Sequence, residues 1–244
     1  MPSAVRHRAP SPPSREHHHR DVRGGAARAA VFGVSDGLVT NVSLILGVAG
    51  GQAYGGYVRL AGLAGLIAGA LSMAAGEYNS MRVQSELLER ELAIERVELR
   101  RNPNVERAEL ARIYESRGVR PDRALAMATE LMADPEVALQ THAREELGID
   151  PTRLGSPKSA ALASLLAFAL GGLIPLVPWL FAEGTAPIVA SVALAVVASV
   201  ALGFLIARFT NRSPYRTAAR QLLLTAVAAA TTWGIGHLIG INVH

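Results

Sequence analysis

The stretch VFGVSDGLVTNVSLILGVAG, residues 31–50, is almost entirely apolar or small, and Asp36 is its only charged residue. Its length is close to the roughly 20 residues that a helix needs to cross about 30 Å of hydrocarbon. A carboxylate inside a bilayer costs about 2.5–3.5 kcal/mol on insertion scales, and such residues usually have a function. The stretch therefore predicts a membrane-spanning helix that carries a site.

Four more apolar segments of similar length follow, and together they determine the fold class. The chain is 50% hydrophobic and only 18% charged, whereas soluble domains carry about 25% charged residues. We predict an all-α membrane protein with five transmembrane helices. The predicted spans are 31–51, 58–80, 159–181, 186–207 and 218–240.

The polar segments between and before these spans define four regions. Residues 1–30 predict a disordered basic tail, which includes His17, His18 and His19. Residues 31–81 hold helices 1 and 2, and residues 158–244 hold helices 3 to 5. Residues 82–157 predict a helical, carboxylate-rich metal-binding domain that is inserted between helices 2 and 3.

The distribution of basic residues predicts the orientation, because cytoplasmic connections carry an excess of Lys and Arg. The tail and the inserted domain are rich in Arg, while the first connection has only Arg59 and the third has none. This places the N-terminus and the inserted domain in the cytoplasm and the C-terminus outside. The fourth connection, also cytoplasmic, carries Arg208, Arg212, Arg216 and Arg220.

Basic residues that flank apolar segments indicate a lipid bilayer as partner and give no support for nucleic acid. An Ala- and Arg-rich chain without a signal peptide favours a bacterial inner membrane. Cysteine is absent, which excludes thiolate metal sites and cysteine nucleophiles. No P-loop or hydrolase motif occurs, so neither ATP-driven transport nor an enzyme is predicted.

Membrane-level polar residues form the first candidate site. Thr40 and Asn41 follow Asp36 by about one turn. In the second span, Met73 and Glu77 stand at i and i+4, so both project to one face, beside a stripe of small residues that permits close helix contact. Two alternatives remain open: Asp36 as a helix cap and Met73 as ordinary core. The stripe consists of Gly62, Gly65, Gly69 and Gly76.

The inserted domain holds 15 of the 20 acidic residues and supplies the second candidate site. Glutamates recur at helical spacing before the break that Asn102-Pro103 predicts, and again after it. Oxygen and imidazole donors suit divalent iron or manganese better than copper(I). The alternative is a solvated face of Glu–Arg pairs. The candidate residues are Glu91, Glu95, Glu98, Glu106, Glu109, His142, Glu145 and Glu146.

The third predicted span contains Gly171, Gly172, Pro175 and Pro178. Proline removes a backbone donor from a helix. We therefore expect a kink and released carbonyl groups there.

Three segments together resemble the vacuolar iron transporter family. They are FGVSDGLVTNVSLILGV (32–48), IAGALSMAAGEYNSMRVQSE (67–86) and HAREELGID (142–150), and the resemblance extends over about 28–240. The resemblance implies a homodimer that exchanges cytoplasmic Fe²⁺, and often Mn²⁺ as well, for protons. The ion path would lie between the first helices of the two subunits. No prosthetic group is implied, since the metal is the transported ion.

The resemblance also implies roles for individual residues. Asp36 and Met73 would line the membrane path, each supplied twice by the two-fold axis. A methionine ligand of a plant member falls on His142. The family's other cytoplasmic ligands fall on Glu95, Glu98, Glu106, Glu109 and Glu146.

Two alternatives from other functional classes remain open. One is a non-conducting, membrane-anchored metal buffer or sensor, and the other is a scaffold that binds no metal.

Overall fold

The computed structural model describes residues 25–51, 55–148, 150–151 and 155–241. In these ranges the chain forms eight α-helices and no β-strand. The helices are α1 (Gly25–Gly50), α2 (Gly55–Arg101), α3 (Pro103–Ser116), α4 (Pro121–Leu131), α5 (Pro135–Glu145), α6 (Pro157–Phe181), α7 (Thr185–Thr210) and α8 (Pro214–Ile241).

Five of these helices, α1, α2, α6, α7 and α8, are long and apolar enough to cross a membrane. This confirms the five predicted spans. Helix α1 begins at Gly25, so the last six residues assigned to the disordered tail are helical, and that boundary was wrong. Residues 1–24, with the three histidines, lie outside the described residues.

Helix α2 joins the membrane region to the inserted domain without interruption. Its 47 residues correspond to about 70 Å, more than twice the hydrocarbon thickness. The apolar part ends near residue 80, and the rest of the helix is polar. The boundary at 81/82 therefore marks a change in the surroundings of one helix and not a break in the chain's structure.

The inserted region consists of the polar end of α2 together with α3, α4 and α5. Proline occupies the first turn of α3, α4 and α5, where its missing N–H costs nothing. The predicted break at Asn102-Pro103 is confirmed, since α2 ends at Arg101 and α3 begins at Pro103. Helices α3 and α4 pack through a small core of Leu110, Ala111, Ala124 and Ala128.

Helix α1 is the centre of the membrane bundle, because it packs against α2, α6, α7 and α8. Its closest neighbour is α6, which runs parallel to it. A Cβ added at Gly37 would overlap the backbone of Phe168, and one added at Gly171 would overlap the carbonyl of Val34. Small residues thus let the two backbones touch.

The glycine stripe of α2 also packs within the subunit. Gly62 faces Ile45 of α1 and Leu176 of α6, and Gly69 faces the ring of Phe168. Only the far end of the stripe, at Gly76, faces open space. The first three glycines therefore stabilise this bundle by close contact with α1 and α6.

Helix α6 continues through Pro175 and Pro178. Neighbouring helices supply donors to carbonyls beside these prolines: Asn41 Nδ2 donates to Gly172 O at 2.6 Å, and Ser191 Oγ donates to Pro175 O at 2.6 Å. The carbonyls that the prolines release are those four residues earlier, at Gly171 and Ile174. The two hydrogen bonds to Gly172 and Pro175 therefore tie α6 to α1 and α7 and do not replace the missing ones.

The contact between α1 and α6 predicts the effect of one added methyl group. We expect Gly171→Ala to lower the free energy of unfolding by at least about 1–3 kcal/mol, because its Cβ meets backbone that cannot rotate away. Gly234→Ala is the matched control, since nothing lies within 4 Å of a Cβ there. Melting of the purified protein in detergent measures both. Equal melting temperatures would contradict the close packing of α1 on α6.

Candidate metal centre

Three helices of the inserted region bring the predicted ligands together. Glu95 comes from the polar end of α2, Glu106 from the first turn of α3, and His142 and Glu146 from the end of α5. Asp134 helps to fix α5, because its side chain accepts hydrogen bonds from the first-turn amides of that helix. Residues far apart in the sequence therefore converge where the three helices meet.

The distances around His142 are short. Its Nδ1 lies 3.1 Å from Glu95 Oε1, 3.6 Å from Glu146 Oε2 and 3.9 Å from Glu106 Oε2. One donor atom each from Glu95, His142 and Glu146 lies within 4.8 Å of the others. Adjacent ligands at right angles on an ion with bonds of about 2.1 Å stand about 3 Å apart. The spacing fits a bound divalent cation.

The donor atoms lack other partners. His142 is completely buried, and neither of its ring nitrogens has a hydrogen-bond partner; the same holds for Glu95 Oε1. Nδ1 and Oε1 are thus close without forming a hydrogen bond. Buried polar groups are normally paired, so the unpaired imidazole and carboxylate, which face each other here, fit a site that binds a cation.

Electrostatics supports the same interpretation. Burial, and then the charges of Glu146, Glu106, Glu98 and Glu109, raise the pKa of Glu95 from 4.5 to about 7. Burial followed by nearby glutamates also raises the pKa of Glu106. Crowded carboxylates resist simultaneous ionisation, and a divalent cation removes that conflict.

The six predicted ligands do not lie at equal depth. Glu95, Glu106 and His142 are buried, Glu109 is half-buried, and Glu98 and Glu146 are exposed. The structure brings Glu95, Glu106, His142 and Glu146 together around one point, with Glu146 on its solvent side, while Glu98 and Glu109 add negative charge at the edge. The alternative of a purely solvated Glu–Arg face is wrong for Glu95 and Glu106, because both are buried beside an imidazole.

At membrane level, Asp36 lies well inside α1. The apolar part of that helix covers Ala29–Gly50, which puts Asp36 about 5 Å from its midpoint. The helix-cap alternative is therefore wrong. Thr40, one turn later, donates a hydrogen bond to Asp36 Oδ1 at 3.4 Å. Asn41 is completely buried, and its Oδ1 has no partner.

Helix register brings Met73 to the depth of Asp36. Helices α1 and α2 are antiparallel, with Gly62 against Ile45 and Gly65 against Asn41. Continuing this register puts Asp36 level with residues 70–71 of α2, less than one turn from Met73. Met73 and Glu77 are both half-buried. Asp36 and Met73 thus form one layer of the bundle, and Glu77 lies about 9–10 Å from the level of Asp36 along α2.

The two candidate sites are well separated. Glu77 and Glu95 lie on the same straight element, and 18 residues of helix correspond to about 27 Å. An ion bound at His142 therefore cannot contact the layer of Asp36 at the same time.

Sequence reasoning missed one polar contact beside Asp36. Gln221 of α8 donates a hydrogen bond to Ser35 Oγ at 2.8 Å, and both side chains lie in the bundle. The available signal was a lone amide inside an apolar segment, because polar side chains in a span usually face the bundle interior. Gln221 ties α8 to the turn of α1 that carries Asp36.

Comparisons with known proteins match nearly the whole chain. The VIT family model matches residues 27–237. Vacuolar iron transporter 1 of Oryza sativa subsp. japonica is 31% identical over 231 residues, covering 93% of this chain and 92% of that protein. Vacuolar iron transporter 1 of Eucalyptus grandis is 32% identical, covering 88% and 87%. The vacuolar iron transporter of Acanthamoeba castellanii is 38% identical, covering 90% and 82%.

The raised pKa of Glu95 predicts how pH acts on the centre. In the metal-free protein, protonated Glu95 is favoured, so its contribution to stability is complete below pH 4.5 and is lost as pH rises through about 7. Metal binding requires the ionised form, so we expect Mn²⁺ affinity to fall about tenfold per pH unit below 7. Calorimetric titrations at pH 5.5, 6.5 and 7.5 measure this. Mn²⁺ affinity that is independent of pH would contradict it.

The role of His142 is tested by substitution. We expect His142→Ala to weaken Mn²⁺ binding by at least about 10–100-fold, because it removes the imidazole donor from among the crowded carboxylates of this centre. Glu130→Gln is the control, since it removes one exposed acid of α4. Unchanged affinity in His142→Ala, or an equal loss in the control, would show that the region binds cations only by its overall charge.

Proposed function

Because this chain belongs to the VIT family, we propose that it carries divalent iron across the membrane in exchange for protons. Members of this family are transporters and not enzymes, and the transported ion of the relatives is iron. The observation that carries the proposal is the buried imidazole of His142, unpartnered on both nitrogens, among converging carboxylates outside the membrane.

We infer that the centre at His142 collects the cation and that the layer of Asp36 passes it across the membrane. Carboxylate and imidazole donors also suit Mn²⁺, which we propose as a second substrate. Negative charge around the centre raises the local cation concentration. The separation of about 27 Å along α2 means that the ion leaves the first site before it reaches the second.

We propose that proton binding at carboxylates releases the metal. Protons and cations compete for the same oxygen atoms, so a site that meets a more acidic compartment loses its ion. The distribution of arginine supports an N-terminus and an inserted region in the cytoplasm, with export as the direction. The membrane itself stays a prediction: composition favours a bacterial inner membrane, whereas the names of the relatives refer to vacuoles.

We further propose a homodimer that meets at α1. Phe32 and Thr40 are exposed and Asp36 is half-exposed, one turn apart on α1. The subunit's own helices therefore leave this stripe, with its polar residues Asp36 and Thr40, uncovered at membrane depth, and polar groups there normally face protein. A two-fold axis along this stripe would supply a second Asp36 and a second Met73, enough donors to hold an ion that one copy cannot.

Two other functions predict different behaviour. A membrane-anchored metal buffer or sensor would bind the ion at His142 and move none. A scaffold would bind no metal at all. The half-buried Asp36 layer favours transport over both, because neither alternative gives a reason for a carboxylate near the middle of α1.

Flux through proteoliposomes tests transport. With an imposed pH gradient, we expect the wild type to move Fe²⁺ and Mn²⁺ against a counterflow of protons that a trapped pH dye reports. Asp36→Asn should reduce the flux at least tenfold, because a neutral amide can neither balance the cation nor exchange a proton, and should leave Mn²⁺ binding at His142 intact.

Glu130→Gln, with normal flux expected, is the matched control for reconstitution. Wild-type protein that binds Mn²⁺ but moves none would establish the buffer. Undiminished flux in Asp36→Asn would overturn the role of the membrane layer.

A further inference from the structure

The end of the bundle where α7 and α8 join forms a basic groove that the transport proposal does not use. The groove has a volume of about 530 Å³. It combines two arginines with an apolar floor. Its lining residues are Phe204, Ala207, Arg208, Asn211, Arg212 and Pro214.

The position of the groove is fixed by the helices. Helix α7 ends at Thr210 and α8 begins at Pro214, and both are membrane-spanning candidates. The groove therefore lies at the boundary between hydrocarbon and water. Between the inserted region and this boundary the chain crosses the membrane twice, through α6 and then through α7. The boundary therefore lies on the same side of the membrane as the centre at His142.

The walls of the groove are rigid. The backbone of Ala218 packs directly on Gly203, and Phe204 meets Tyr215 edge to face with ring centroids 6.0 Å apart. Asn211 adopts the left-handed conformation at φ 52°, which lets the Arg212 amide donate to Ala207 O at 3.1 Å. The turn thus holds Arg208 and Arg212 at the two ends of a fixed connection.

The charge of the groove is uncompensated. Residues 208–220 contain four arginines and no acidic residue, and all four arginines are exposed. In the part of the chain that the structure describes, none of these four arginines forms an ion pair. Pro214 opens α8 and Thr210 ends α7, so the positive end of one helix dipole and the negative end of another both lie at the groove and offset each other. The net positive charge there comes from the arginines.

We propose that this groove binds the phosphate headgroup of an anionic phospholipid. Arg208 and Arg212 would hold the phosphate, as basic pockets between membrane helices do, and the apolar lining at Phe204 and Ala207 would contact the start of an acyl chain. Exposed Tyr215 is an aromatic residue of the kind that lies at headgroup level. The proposal requires only that α7 and α8 span the membrane, so it is independent of metal transport.

The test compares lipid classes with matched acyl chains. Full-length protein in neutral detergent is titrated with dioleoyl phosphatidylglycerol and with dioleoyl phosphatidylcholine, and bound lipid is counted by native mass spectrometry. We expect a clear preference for phosphatidylglycerol in the wild type. In Arg208→Gln/Arg212→Gln the preference should fall by about fivefold for each arginine, roughly 25-fold in total.

Arg112→Gln/Arg123→Gln is the matched control, because it removes the same charge from exposed positions of α3 and α4. It should keep the full preference. Should the first double variant fail to fold, Arg212→Gln alone should lose about fivefold. Competition with inorganic phosphate tests whether the groove binds a lipid headgroup or any soluble phosphate. At millimolar concentration, inorganic phosphate should not displace the bound lipid.

Three results would overturn the proposal: equal binding of the two lipids by the wild type, an equal loss in the control pair, or displacement by free phosphate. The last would make the groove a site for soluble anions.

Discussion

Carboxyl groups held away from water without a fixed counterion are the constraint on which the rest of this structure depends. Glu95 and Glu106 are buried beside one another and beside His142, and no arginine of the described residues pairs with either of them. Taking charged groups out of water costs several kcal/mol per ion. A protein designed only for stability would pair these acids, and the metal centre that we propose gives a reason for leaving them without an arginine.

The continuous helix α2 connects this centre to the membrane. The same 47-residue helix carries the glycines that pack on α1 and α6, then Met73 and Glu77 and, towards its far end, Glu95. The inserted region is an extension of the bundle more than a separate unit joined by a linker.

The hydrophobic effect does not drive helices together in lipid, so close contact between small residues stabilises the bundle instead. Gly37 and Gly171 let α1 and α6 touch backbone to backbone, which places Asn41 within reach of Gly172 O. Close packing and interhelical hydrogen bonds are the forces available in hydrocarbon. They hold α1 at the centre, and so they determine the depth of Asp36 and the side of α1 that remains uncovered.

The sequence by itself determined the five apolar helices and the break at Asn102-Pro103, because the length of an apolar segment and the position of a proline have direct physical consequences. It did not separate α4 from the rest of the inserted region. The candidate ligands were chosen by residue type and by the resemblance. Only the tertiary structure decided the depth of each residue. Glu95 and Glu98 stand three residues apart on one face, yet one is buried and the other exposed. Helix periodicity gives the direction of a side chain but not what packs against it. In the same way, hydropathy located the end of the apolar segment near residue 80, whereas only the structure shows that α2 continues to Arg101.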